Sequence, residues 1–88
     1  MATNNFVPIT WIKVDVSEGM FSSEYTVIIT MSNGEQISLF ADKSILKQEK
    51  GQWYLKVTKI RNENGTEQII LLPTEAYGTS SRWANVPL

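Results

Sequence analysis

Cysteine and histidine are both absent from the 88 residues, and the two absences exclude a good deal of chemistry. Without cysteine there is neither a disulfide framework nor a thiolate metal site. Without either residue the common zinc, copper and non-haem iron ligand sets cannot be assembled, nor can a Ser-His or Cys-His nucleophilic pair. No cofactor and no metal are expected, and an enzyme is the least favoured class. Long apolar runs are missing too. The longest aliphatic run is Ile69 to Leu72, far short of the roughly 20 residues a membrane span needs. Residues 1–8 carry no basic side chain and no apolar stretch of signal-peptide length. A cytoplasmic protein with no membrane partner is the expectation. The five glycines are spread one to a turn, so no cluster cradles phosphates.

What is present is a lopsided distribution of charge. Eight basic and nine acidic side chains leave a net charge of −1. Six of the bases, Lys43, Lys47, Lys50, Lys56, Lys59 and Arg61, fall between residues 43 and 61, where Glu49 is the only acid. That segment carries a surplus of five positive charges, while the rest of the chain holds two bases and eight acids. A polarised surface can orient a charged partner before contact. The acids are scattered over turns and outward positions, with nothing to imply the burial that separates the pKa values of a catalytic pair.

Periodicity points to strands. In residues 9–16, Ile12, Val14 and Val16 alternate with Trp11, Lys13 and Asp15, a period of two with β-branched residues. Residues 17–23 read as a loop that tucks Met20 or Phe21 onto the core. Residues 24–31 place Tyr25, Val27, Ile29 and Met31 on one face. Asn33-Gly34 then predicts a tight hairpin, returning through residues 36–41 with Ile37 and Leu39 inward. Residues 42–51 are read as a short strand from Ser44 to Gln48 that turns at Lys50-Gly51, in preference to a short helix capped by Asp42. Residues 52–60 direct Trp53, Leu55 and Val57 inward and Tyr54, Lys56 and Thr58 outward. A turn at residues 62–65 leads to a strand over 66–72 that reads as covered on both faces and ends at Pro73. Trp83 and Val86 anchor a last short strand.

Short strands with turns every 8–12 residues or so and no persuasive helix indicate an all-β fold, a small five- to six-stranded barrel. The layout is SH3-like, with an OB-like barrel as the alternative. The domain reading is a flexible N-terminal segment over residues 1–8 and a single small β-barrel domain over 9–88, since two cores could not each bury enough surface at this length.

The functional expectation is a non-catalytic binding module that docks an acidic protein partner through the basic, aromatic-containing segment 43–61. Its candidate residues are Lys50, Tyr54, Lys56, Lys59 and Arg61, with Trp11 or Trp83 supplying apolar contact. Strand parity divides them, because Lys59 and Arg61 alternate with Tyr54 and Lys56. A single-stranded nucleic-acid binder is the alternative, disfavoured by the acidic pI near 5.3. A structural subunit or homodimer held by outward apolar residues, Trp11, Ile28, Phe40, Ile60 and Ile70 or Leu72, is a third reading.

Overall fold

The computed structural model describes residues 8–18, 24–73 and 82–88. The N-terminal segment, the 17–23 loop beyond Glu18 and the turn after Pro73 therefore lie largely outside the described residues. The fold is all-β: β1 (Ile9–Glu18), β2 (Glu24–Thr30), β3 (Gln36–Asp42), β4 (Leu46–Glu49), β5 (Gln52–Glu63), β6 (Glu67–Leu71) and β7 (Trp83–Pro87). Every pairing is antiparallel. Six strands run in the order β3-β2-β1-β5-β6-β7, with β4 attached to β5, and the sheet curls into a half-barrel compatible with a small SH3- or OB-like barrel. Among the described residues no helix is long and apolar enough to cross a membrane.

The alternation read from sequence decides which face is buried. Ile12, Val14, Val27, Ile29, Leu39, Leu55 and Val57 form the core with Ile70, Leu72, Ala84 and Val86. Fully burying an aliphatic side chain of this kind contributes about 1.5–3 kcal/mol. Trp53 is half-buried against this core and lies 5.6 Å from the Tyr25 ring, centroid to centroid. Two apolar expectations are corrected by parity. Trp83 faces away from the core while its neighbours Ala84 and Val86 enter it. Strand β6 buries Ile70 on the inside but leaves Ile69 and Leu71 only half-covered.

The hairpins show how local chemistry sets register. In the β2–β3 connection only Gly34 takes a positive φ, 88°, with Gly34 N–H donating to Met31 O and Met31 N–H to Glu35 O. This is a type I turn closed by a glycine bulge, rather than a two-residue hairpin with both central φ values positive. The connections at Lys50-Gly51 (φ 52° and 80°) and Asn64-Gly65 (φ 55° and 73°) do have both positive. Segment 42–51 divides between the two sequence readings. Asp42 caps a single 3-10 turn, Lys43–Ile45, by accepting from the Ser44 N–H, and the strand begins only at Leu46. The turn buries none of its residues, Ile45 being only half-covered, and so small an apolar anchor would not sustain a longer helix.

Strand β5 holds the sheet together. Along one edge, residues 53–58 pair with β1; along the other, residues 52–55 pair with β4 and residues 58–63 with β6. It runs past residue 60 to Glu63, and the register slips between Lys59 and Arg61, so Ile60 is an extra, bulged residue.

Candidate functional site

The site is the outer face of β4, β5, β1, β6 and β7, built up row by row from residues that are cross-strand partners and therefore share a face. The first row is Lys47, Tyr54 and Lys13 across β4, β5 and β1. Beside it Lys56 faces Trp11. Next, Ile9, Thr58, Leu71 and Trp83 align across four strands. Then come Arg61, Ile69 and Asn85, and last Glu63, Glu67 and Pro87.

The bulge removes the parity objection to Arg61. Without the extra residue, Ile60 would face Ile69 and Arg61 would follow the inward Lys59 only by simple alternation along the strand. With Ile60 set aside, Lys59 stays opposite the fully buried Ile70, and Arg61 comes opposite Ile69 on the outer face with Tyr54 and Lys56. Lys59 is half-buried on the inward side and does not belong to the outer face. Lys50 sits in the β4–β5 turn rather than on the sheet, where it shares a shallow depression with Glu49, Gln52 and Tyr54.

The centre of the face is an aromatic and cationic cluster. The Lys47 ammonium lies 4.5 Å from the Trp11 ring centroid and 5.8 Å from that of Tyr54. Each such contact is worth about 0.5–1 kcal/mol at an exposed site. Lys47 also approaches Glu49 at 3.8 Å, and Arg61 Nε donates to Glu63 Oε2 at 3.2 Å. Among the described residues, Lys13 and Lys56 form no ion pair, so their charge is offered outward. Acids close the basic stretch at both ends: Glu49 and Asp15 on one side, Glu63 and Glu67 on the other. The rows between Gln52 and Glu63 span roughly 35 Å of strand at most, at about 3.3 Å per residue.

Apolar surface continues the cluster on one side. Ile9 and Trp83 are 52% and 57% exposed and Trp11 36%, in adjoining rows. Arg82, the neighbour of Trp83, directs Nη2 to the carbonyls of Leu72 and Pro73, so its guanidinium ties the start of β7 to the end of β6. Of the other outward apolar candidates, Ile60 is 41% exposed, Ile28 and Phe40 are half-buried, and Ile70 and Leu72 belong to the core.

The sequence singled out Trp11, Tyr54, Lys56, Arg61 and Trp83 without placing them on one face, and parity alone set Arg61 apart from Tyr54 and Lys56. The register with its bulge brings the five together, and Lys13 and Lys47, passed over as site residues, join them. The signal for Lys47 was available. Folding residues 46–49 back on 52–55 about Lys50-Gly51 sets Lys47 opposite Tyr54. Compared with known protein families, curated proteins and solved structures, the chain matches none.

Proposed function

We propose that the protein is a non-catalytic binding module that docks an acidic protein segment on this outer face. The observation that carries the reading is the Lys47 ammonium held over Trp11 and Tyr54, with Lys13 and Lys56 beside it and without ion-pair partners among the described residues. Charge steers the encounter and the aromatic and apolar rows hold it. An acidic peptide fits better than a nucleic-acid strand for two reasons. Lys47 occupies ring faces on which bases would stack, and the acid rows at both ends of the basic stretch oppose a continuous phosphate backbone.

The test is fluorescence anisotropy with a labelled oligoglutamate peptide and, separately, labelled oligothymidylate, using wild type and a Lys13→Glu/Lys56→Glu variant. Wild type is expected to bind the peptide with an affinity that falls as salt rises. The double reversal is expected to weaken it by about tenfold or more, with the circular dichroism spectrum unchanged. Equal affinity for both proteins overturns the reading. Oligothymidylate bound more tightly than the peptide replaces it with single-stranded nucleic-acid binding.

A further inference from the structure

Pairing between β1 and β2 stops short of both strands' length. It covers Asp15 to Glu18 against Ile28 to Tyr25, although β1 extends back to Ile9 and β2 on to Thr30. Ladder parity says what the unpaired stretch presents. Lys59 N–H donates to Pro8 O, and the Gln52 side-chain amide donates to both Val14 O and Trp53 O. The even-numbered residues of β1 therefore turn their main-chain groups to β5. Those of Trp11 and Lys13 turn the other way, where β2 has separated. Met31 pairs with Glu35 across the hairpin, so by the same parity the main-chain groups of Thr30 face this gap from the β2 side.

The gap opens into a cleft of about 570 Å³, lined by residues 11–15 of β1, by Ile28 and Thr30, and on the inside by Gln68 and Val86. Gln68 is 6% exposed, and its buried Oε1 has no hydrogen-bond partner among the described residues. Buried acceptors in native proteins are nearly always matched. An amide oxygen unmatched among the described residues, at the inner end of a cleft rimmed by two unpaired strand edges, is an acceptor that a ligand's donor can reach.

We propose that an extended peptide adds as a strand to the free edge of β1 in this gap, pairing with the main chain of Trp11 and Lys13 and donating to Gln68 Oε1 from an inward side chain. Only an extended backbone repeats N–H and C=O at the spacing that a strand edge offers. The charge of the outer face sets the peptide's chemistry. Side chains sharing a face with Trp11 and Lys13 are acidic, alternate ones entering beside Ile12 and Val14 are apolar, and one of these carries a hydroxyl or amide donor. The inference rests on the acidic-docking reading and specifies its geometry.

The probe is acetyl-Glu-Val-Glu-Thr-Glu-Val-Glu-amide, compared with the same peptide N-methylated at alternate backbone nitrogens and with a version in which Val replaces Thr. Binding by calorimetry is expected to fall about tenfold or more on N-methylation, which deletes main-chain donors and leaves every charge in place. Replacing the Thr is expected to cost about fivefold against wild type and nothing against Gln68→Leu. Amide hydrogen exchange at Trp11 and Lys13 slows when the probe is bound. Equal affinity for the N-methylated and parent probes overturns strand addition and leaves acidic docking standing. A probe that fails to bind while oligoglutamate binds does the same, and failure of both peptides overturns both readings. Protection of Trp11 and Lys13 that grows with protein concentration alone overturns the proposal in favour of a second copy of the chain.

Discussion

Replacing Gln68 by Leu is expected to stabilise the protein, an uncommon outcome for a core substitution. Gln68 sits on β6 opposite Val86, 6% exposed, with Oε1 unmatched among the described residues. Leaving a buried acceptor without a partner costs roughly 1–3 kcal/mol. Leucine occupies a similar volume, removes that penalty and adds apolar contact with the Val86 side of the core. The expected gain is about 2 kcal/mol, which for a domain of this size is a rise in Tm of about 10 °C. Gln68→Ala separates the two contributions, because it removes the amide but leaves a void that costs about 2 kcal/mol; it should fall near wild type. The assay is urea unfolding followed by tryptophan fluorescence, since Trp53 packs against the core beside Tyr25. The m-value should not change, as the surface exposed on unfolding is the same. A Gln68→Leu variant no more stable than wild type at equal m would refute the reasoning, because Oε1 would then have a partner in solution and there would be no penalty to relieve.

Other substitutions probe the remaining structure. Ile70→Ala, at a fully buried position, should cost about 3 kcal/mol in the same assay, whereas Ile69→Ala on the outer face should cost about 1 kcal/mol or less; equal losses would contradict the assignment of faces in β6. Asp42 accepts from the Ser44 N–H, and that bond, followed by one from the Ser44 hydroxyl, holds its carboxyl below the ordinary carboxylate value against a small opposing effect of burial. Its contribution to stability is therefore present above the unfolded-state pKa and lost as pH falls through the lower folded value. A carboxyl-carbon NMR titration of Asp42 should show its midpoint below the ordinary value, and Asp42→Ala should flatten the acid limb of the stability profile; an Asp42 midpoint at the ordinary value would remove the basis for both.

The strands and their faces were legible because alternation is a local property. Val27, Ile29, Leu39, Leu55 and Val57 announce the core by spacing alone, and the glycine-containing turns mark where the chain reverses. The basic segment was visible for the same reason. Ile60 shows where the signal ends. Nothing in Thr58-Lys59-Ile60-Arg61 distinguishes a bulge from two regular turns of the pleat, since the choice is made by the strand across from it, and with it the face on which Arg61 emerges. The parting of β1 from β2 is equally silent in sequence. It follows from the curl of the sheet, which β1 must satisfy for two neighbours at once. Gln68 is a polar residue inside an apolar fold, and composition gives no reason to place it there.

Strand β5 also imposes an order of assembly. The chain emerges from synthesis with β1, β2 and β3 able to pair among themselves through short connections, the β2–β3 ladder being wholly local. The inner half of β1 has to wait for residues 53–58, and closing so distant a pairing is slow because its loop entropy is spent before any contact rewards it. Until β5 arrives, both edges of β1 between Ile9 and Val14 stand open, and that is the interval in which the nascent chain is most exposed to pairing with the wrong neighbour.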